Sequence, residues 1–514
     1  MEPAASSEPP PPHPFKLECG EELPSGGALC RDSFREAMAA RCATGPPPRR
    51  GAQRRPLVIG PVRVVFSPTG PIPAPLKYVV IYGGRVVGFA QDLEYALVQG
   101  REWAYCENAA CWDKEAKPVV IEPPDGSHLF AGLMDAHVHC TAVVADLTDL
   151  RNMPPTLLAA RSAVVLGEML RRGFTAVRDA GGADWGIASA VGDGSILGPR
   201  VLFSGRALSQ TGGHGDFRAP GAERLESNCP CACAAVAGIG RVCDGVDAVR
   251  KAARDELRLG AHFIKAMCSG GVSSPTDSLE HDQFSEDELR ALCAEAANRN
   301  SYVGAHAYKP RSIRRALECG VRSIEHGNYL DDATANEMAK RGAFLVPTLV
   351  TYESIVRRGA AAGFPPALVA KARGVLLAGL RSLSVAGRAG VRICFGSDLL
   401  GAMHSDQSRE FELRHDKGGM SALELFASAT TECAALFQRR DCGSVKAGAV
   451  ADLCLASADP RQDVRVMSEA ERRVLLVLKD GLVAKAPTVE WGDAINAAMF
   501  DPSSPPACLD EEKE

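Results

Sequence analysis

Two histidines two residues apart are the first feature of this sequence that could do chemistry. His137 and His139 end the apolar run LMDAHVH, and residues two apart on a β-strand point to the same face. Two imidazoles that converge inside a fold are costly to bury without partners, and a metal ion would supply a partner. Taken alone, the pair leaves a second interpretation open, in which both histidines lie at the surface or bond to ordinary polar groups.

Four more potential ligands lie in later apolar runs. They are Lys265 in HFIKAMCSGG, His306 in YVGAHAY, His326 in VRSIEHG and Asp398 in RICFGSD. His306 and His326 are twenty residues apart, which leaves room for one helix and one strand. Side chains from separate strand ends at one rim are where barrel enzymes do their chemistry.

Lys265 discriminates best between the possible chemistries. A lysine in a buried apolar strand can be an amine with a lowered pKa or one half of an ion pair. It can also be carboxylated by carbon dioxide, which turns the cation into an oxygen ligand able to bridge two metal ions. Four imidazoles and two oxygen anions suit two divalent ions, with zinc expected first and manganese or cobalt as alternatives.

The elements that must position these residues follow from the hydrophobic pattern. Short apolar strands alternate with amphipathic helices over residues 129–440, which predicts an α/β fold with a parallel sheet, closed as a (β/α)8 TIM barrel. The predicted strands are LMDAHVH, FTAVRDAG, RVLFSG, HFIKAMCSGG, YVGAHAY, VRSIEHG, AFLVPTL and RICFGSD. Ser285 and Glu288 predict a capping box at the start of one connecting helix.

The two ends of the chain predict other structures. Segments 56–128 and 441–490 are rich in short β-like runs and turns, so we expect a small β-sandwich domain built from both. Residues 1–55 are rich in proline and arginine and predict a disordered extension. Residues 491–514 are expected to form a C-terminal tail.

Composition limits the partners and the compartment. The 58 basic and 63 acidic residues give a net charge of −5, which argues against nucleic acid or an anionic membrane as the main partner. The N-terminus lacks the cationic start and apolar core of a signal, and no apolar run could span a bilayer. Eighteen scattered cysteines fit a reducing compartment, so a cytoplasmic protein is expected.

Three further features have open interpretations. Cys229, Cys231, Cys233 and Cys243 could form a structural zinc site, but their spacing favours a loop with free thiols. Arg178 and Asp179 end the second predicted strand and are expected to form a structural ion pair. His404 follows the last strand and is expected to be solvated.

The motifs GLMDAHVH, AHAY, EHG and GSD, with Lys265 and the later ATTECAALF and GSVKAGAVADL, resemble the amidohydrolase superfamily in its binuclear-metal branch. The resemblance covers about residues 56–490. It extends in particular to the imidazolonepropionase-like Xaa-Pro and Xaa-Arg/Lys dipeptidases and to the fungal ochratoxinases.

The resemblance implies a role for each candidate ligand. The more buried metal would be bound by His137, His139 and Asp398, the more exposed one by His306 and His326, and N6-carboxylated Lys265 would bridge the two. A metal-bridging hydroxide would attack the amide carbonyl, with Asp398 as general base and then general acid. In the alternative, Asp398 is a ligand only.

The resemblance also implies two substrate contacts. His214, in the glycine-rich segment SQTGGHGDFR, and Tyr308 would hold the α-carboxylate of the substrate. The alternatives are a hydrogen-bonded loop histidine and a rim tyrosine.

The predicted function is therefore metal-dependent hydrolysis of the amide bond of a small molecule. An N-acyl amino acid, a dipeptide and an ochratoxin-like amide are the candidate substrates, and a homo-oligomer is expected. The alternatives are a mononuclear deaminase, a cyclic-amide hydrolase on the same fold, and a relative without enzymatic activity. A deaminase would lack Lys265 and would place a glutamate shortly after His306, where Ala-Tyr-Lys-Pro follows instead. A non-enzymatic relative is expected to have lost ligands.

Overall fold

The computed structural model of the chain describes residues 16–17, 55–96, 118–218, 235–236, 238–274 and 277–499. Nearly all of the predicted N-terminal extension lies outside the described residues, as do Cys229, Cys231 and Cys233. The chain divides into two compact units, a terminal unit (Met1–Ala131, Ser444–Asp459 and Val474–Glu514) and a central unit (Gly132–Gly443 and Pro460–Arg473).

The described strands and helices are numbered along the chain. The strands are β1 (Lys16–Leu17), β2 (Leu57–Val64), β3 (Leu76–Tyr82), β4 (Arg85–Ala90), β5 (Val119–Glu122), β6 (His128–Ala131), β7 (Leu133–Val138), β8 (Phe174–Asp179), β9 (Arg200–Phe203), β10 (Ala207–Ser209), β11 (Ala235–Val236), β12 (Gly240–Val242), β13 (Ile264–Met267), β14 (Val303–Ala307), β15 (Ser323–His326), β16 (Phe344–Val346), β17 (Arg392–Ile393), β18 (Leu453–Ala456), β19 (Val474–Lys479) and β20 (Leu482–Lys485). The α-helices are α1 (Pro155–Arg171), α2 (Trp185–Gly192), α3 (Val246–Arg258), α4 (Glu286–Ala297), α5 (Pro310–Glu318), α6 (Asp332–Lys340), α7 (Leu349–Arg358), α8 (Pro366–Ala389), α9 (Arg409–Asp416), α10 (Ala422–Ser428), α11 (Thr431–Leu436), α12 (Arg465–Ser468), α13 (Ala470–Arg473) and α14 (Val489–Met499). Two 3₁₀ helices, Leu147–Asn152 and Gly401–Asp406, accompany them.

The terminal unit contains one nine-stranded mixed sheet. Its order is β1-β5-β2-β6-β18-β19-β20, with β3 paired to β2 and β4 paired to β3. Leu57 and Ile59 pack in one apolar cluster and Val58 in another, because successive side chains of a strand point to opposite faces.

The C-terminal segments return to this sheet. Strand β18 pairs antiparallel with β6. The expected tail from residue 491 begins inside α14, whose Ile495 and Met499 are buried in the same cluster as Leu57. These apolar residues give the segment a face to bury, so it is helical where a tail was expected.

The central unit is the predicted alternation of strands and helices, an α/β arrangement with parallel sheets. Each of the eight predicted strand segments contains an observed strand. Strands β7-β8-β9 form one parallel sheet, and β10-β13-β14-β15-β16-β17 run parallel in a second.

The regular pairing does not close a barrel, but backbone hydrogen bonds continue beyond it. Ala136 N donates to Phe395 O and Asp398 N donates to His137 O, both at 2.8 Å. These bonds join the first strand, β7, to the segment that follows the last one, β17. The carboxyl ends of β7 and β17 therefore come together, and with them His137 and Asp398.

The connecting helices cover the second sheet with apolar side chains. Ile264, Ala305 and Ile324 of three neighbouring strands share one buried cluster with Leu289 of α4 and Ile313 of α5. The predicted capping box of Ser285 and Glu288 is present at the start of α4. Among the helices that the structure describes, none is both long and apolar enough to cross a membrane.

Candidate active site

Parallel strands of the central unit bring the candidate ligands to one edge. His137 lies in β7 with His139 just beyond it, Lys265 in β13, His306 in β14, His326 at the end of β15, and Asp398 after β17. Strand register places them side by side, since Met267 is opposite His306 and Ala307 is opposite His326. The candidate ligands lie at one edge because the carboxyl ends of parallel strands meet there.

Three of these residues form a compact group of potential metal ligands. Each of His137, His326 and Asp398 offers one atom, and these atoms lie within 4.8 Å of one another. Asp398 Oδ1 is 3.4 Å from His137 Nε2 and 3.3 Å from His139 Nε2. His137 and His139 therefore point to the same side of the strand, as their spacing predicts.

Backbone strain brings His326 and Asp398 into this group. His326 has φ of 73° and Asp398 has φ of 52°, a left-handed conformation that costs on the order of 1–3 kcal/mol for a residue with a side chain. A regular strand would point His326 away from its neighbour Glu325. In the left-handed conformation the His326 ring lies 5.1 Å from the His137 ring instead.

Gly396 is required where the segment after β17 passes β7. A Cβ on Gly396 would overlap Val346 and press on His137 Cβ, 3.1 Å away. Only glycine lets the segment before Asp398 approach His137 so closely.

A buried ion pair orients His137. Glu325 Oε2 is 2.8 Å from His137 Nδ1, and Glu325 Oε1 accepts from Arg178 Nη2 at 2.6 Å. Arg178 Nε also donates to Ala136 O at 2.6 Å. Because the Nδ1 proton of His137 is directed at a carboxylate, its Nε2 lone pair faces Asp398 and is free for a metal.

His139 is oriented by a backbone carbonyl. Its Nδ1 lies 2.8 Å from Gly181 O. A carbonyl can only accept, so this nitrogen carries a proton, and Nε2 is the nitrogen that faces Asp398.

The expected pairing of Arg178 with Asp179 is wrong. Arg178 pairs with Glu325, whereas Asp179 accepts the backbone N–H groups of Cys140, Gly181 and Ala183. Alternation along β8 explains this, because neighbouring residues of a strand point to opposite faces.

Asp135 supports the segment that carries Asp398. Its carboxylate accepts from Ser397 Oγ at 2.6 Å, from Ser397 N at 3.2 Å and from Gln407 Nε2 at 2.9 Å. Asp135 lies two residues before His137 and so shares its face. That spacing was a signal of its role which the interpretation of the sequence overlooked.

Burial keeps three of the histidines neutral. It lowers the pKa of His137 to about 4, with the charge of Lys265 acting in the same direction. Burial likewise holds the pKa of His306 and of His326 well below the usual value. Neutral imidazole is the form that binds a metal.

Lys265 is a buried amine with a lowered pKa. Burial brings this pKa to about 8, so a fraction of the side chain is the uncharged nucleophile at neutral pH. Among the residues that the structure describes, no carboxylate lies within ion-pair distance of its Nζ. The ion-pair interpretation of Lys265 is therefore unsupported, and carboxylation fits an amine in this position.

Asp398 is ionised. Burial alone would raise its pKa, but the nearby His137, His139 and Lys265 lower it to about 2. One ionised carboxylate beside the neutral imidazoles of His137 and His326 is a donor set that suits divalent zinc, so the residues present fit a metal centre.

His214 and Tyr308 stack on two of the candidate ligands. The ring of His214 lies 4.1 Å from that of His306, and its Nδ1 is 3.5 Å from Asp277 Oδ2. Tyr308 stacks on His326 at 5.1 Å and its hydroxyl is 2.7 Å from that of Tyr352. Both side chains are buried, so they belong to the wall of the site.

His404 is also buried, which corrects the expectation that it is solvated. Its Nε2 is 3.1 Å from Ala142 O. Burial lowers its pKa to about 4. The 3₁₀ helix Gly401–Asp406 folds it inward.

Comparisons with known proteins point to one family. A family model described as Amidohydrolase family matches residues 128–483, a range that includes all the candidate ligands. The chain is similar to ochratoxinase of Aspergillus niger, with 32% identity over 469 residues that cover 88% of this chain and 94% of the relative.

Two solved structures are similar as well. A prolidase complexed with N-methylphosphonate-L-proline has a TM-score of 0.75 and 42% identity, covering 84% of this chain and 100% of its own. A Xaa-Pro dipeptidase with bound methionine in its active site has a TM-score of 0.68 and 25% identity, covering 83% and 99% respectively.

Proposed function

The chain belongs to the amidohydrolase family, and from this premise we propose that it hydrolyses the amide bond of a small molecule that carries a free carboxylate. The family and the ochratoxinase and prolidase relatives support an enzyme that acts on amide or peptide bonds. The family also implies the TIM-barrel fold for the central unit, and we propose a β-sandwich for the terminal one.

The observation that carries the proposal is the convergence of His137, His326 and Asp398. We propose that this edge holds two divalent metals, zinc first. As the resemblance implies, His137, His139 and Asp398 would hold one metal, His306 and His326 would hold the other, and carboxylated Lys265 would supply oxygen ligands. Divalent metals lower the pKa of water and polarise a carbonyl oxygen, and this is the chemistry that they would supply.

The protein's own residues would move the proton and hold the geometry. Asp398 is ionised and 19% exposed, so it can accept a proton from water and pass it to the leaving nitrogen. Asp135 fixes the preceding Ser397, while Glu325 fixes His137. Such partners keep ligands within the narrow range of geometry that catalysis requires.

The carboxylate of the substrate would lie beside His214 and Tyr308. Support comes from their stacking on His306 and His326, which places both next to the reacting centre. An apolar cluster surrounds this part of the unit and includes residues that follow several strand ends, namely Phe217, Val272, Leu349, Leu399 and Leu400. We therefore propose an N-acyl amino acid or dipeptide with apolar side chains, a class that includes ochratoxin-like amides.

A substrate panel tests this function. The metal-supplemented protein is incubated with N-acetyl amino acids, Xaa-Pro and Xaa-Arg dipeptides and ochratoxin A, and the freed amino acid and ammonia are measured in parallel. We expect amino acid without ammonia from at least one apolar substrate. Ammonia without amino acid would indicate deamination, and no turnover of any compound would contradict the proposal.

We further propose a cytoplasmic homo-oligomer that acts on a small molecule. Light scattering on the purified chain would measure the assembly. A single species at the mass of one chain would contradict it.

A further inference from the structure

Lys371 is a cation next to the site, and a helix rather than a strand carries it. It lies on α8, is half-buried, and donates from Nζ to Gly271 O. Within the described part of the chain no carboxylate lies within ion-pair distance of its ammonium. An ammonium has three donors, so two are left for another acceptor.

The glycine pair of the SGG segment joins Lys371 to the ligands. Gly270 O is 3.3 Å from His306 Nε2, and Gly271 O accepts from Lys371. A Cβ on Gly271 would overlap the ring of His214, so the backbone lies directly against that ring. Lys371 and His214 thus both contact Gly271, which follows the residue whose carbonyl faces His306.

The charge of Asp277 acts on Lys371 and opposes the lowering of its pKa by burial, but among the described residues no carboxylate, Asp277 included, pairs directly with its Nζ. The Asp277 carboxylate lies 3.5 Å from His214 Nδ1, accepts from Gln283 Nε2 at 2.9 Å and accepts from Gly271 N at 3.3 Å. Both oxygens thus accept from groups other than Lys371. The ammonium therefore keeps N–H donors for a further acceptor.

The surroundings of Lys371 make that charge effective. Its helix places Leu368, Ala372 and Val375 in the apolar cluster at the strand ends. A charge-assisted hydrogen bond among apolar side chains is stronger than one in water.

We propose that Lys371 binds the free carboxylate of the substrate together with His214. This inference rests on the proposed amide hydrolysis for the identity of the substrate, and it makes Lys371 a determinant of specificity. A substrate whose carboxylate is replaced by a carboxamide would gain nothing from Lys371.

The test compares Lys371→Met with Lys371→Arg on a matched pair of compounds. N-acetyl-L-phenylalanine and its carboxamide serve as probes, with binding to the metal-supplemented protein measured by calorimetry and hydrolysis measured separately. For Lys371→Met we expect the Kd of the carboxylate compound to rise on the order of 10- to 100-fold, with the carboxamide unchanged. Lys371→Arg should restore most of the affinity, and KM should change far more than kcat.

Arg373→Met is the control, since Arg373 is exposed on the same helix and its loss removes the same charge. Equal losses for the two compounds, or an effect of Arg373→Met as large as that of Lys371→Met, would overturn the inference. If the wild type binds the carboxylate compound through Lys371 but hydrolyses no amide, the proposed function fails and the binding site stands. If hydrolysis proceeds and Lys371→Met changes nothing, the proposed function stands and the role of Lys371 fails.

Discussion

Replacing Glu325 with glutamine perturbs the ion pair that orients His137. Glu325 and Arg178 are both fully buried and 2.6 Å apart, and loss of one partner of such a pair costs about 3–5 kcal/mol of stability. The amide can present an oxygen to Arg178 or to His137, but not to both. If its NH₂ faces His137, the Nδ1 proton must move to Nε2, the nitrogen that faces Asp398.

The expected consequence is a weaker metal site. Loss of a carboxylate behind a ligating histidine lowers metal affinity about 10- to 100-fold. Zinc affinity by competition with a chromophoric chelator and stability by chemical denaturation, both on the same preparations, separate the two effects.

Glu256→Gln is the matched control for this variant. Glu256 is buried on α3 and pairs with Arg241 at 3.3 Å, away from the candidate ligands. Both variants should lose stability, but only Glu325→Gln should lose affinity for zinc. Wild-type zinc affinity in Glu325→Gln, or equal losses in both variants, would refute the role assigned to Glu325.

Three other changes have defined outcomes. Asp398→Asn should lower kcat at least about 100-fold, because the amide cannot accept the proton; steady-state rates near wild type would contradict the proton transfer. Lys265→Met should abolish hydrolysis, whereas a retained rate would show that no carbamate is needed. The pKa of His404 is about 4 in the folded protein and about 6.5 in the unfolded chain. Above pH 6.5 the histidine is neutral in both states and its burial costs no stability. As the pH falls toward 4 only the unfolded chain takes up the proton, so the free energy of unfolding falls by up to about 3 kcal/mol. His404→Gln should flatten this acid-side loss in denaturation curves at pH 4–7, and curves parallel to wild type would contradict it.

The strands could be predicted from the sequence because each buried parallel strand is a short apolar run between helices. The candidate ligands His137, His306 and Asp398 could be predicted from their places near the ends of those runs. Their convergence does not follow from the pattern, because it depends on which strands become neighbours.

Glu325 was missed for a physical reason. It precedes His326, and regular alternation would direct only one of the two side chains to the site. The positive φ of His326 lets both take part, and no local pattern in the sequence announces that conformation. Lys371 and Asp277 lie outside the strands altogether, so their approach to His214 is set by tertiary packing.

The burial of His404 was missed because it follows the last strand in a short segment with no strand or helix periodicity, which resembles an exposed loop. A short 3₁₀ helix turns it inward, where Ala142 O accepts its hydrogen bond.

The number of metal ions per chain tests the central claim most directly. After purification in zinc-supplemented buffer and removal of unbound metal, elemental analysis of the wild-type protein should find about two zinc ions per chain. The Lys265→Met variant cannot form the proposed carbamate and should hold at most about one. One ion or none in the wild type, or two in the variant, would contradict a centre built by carboxylated Lys265.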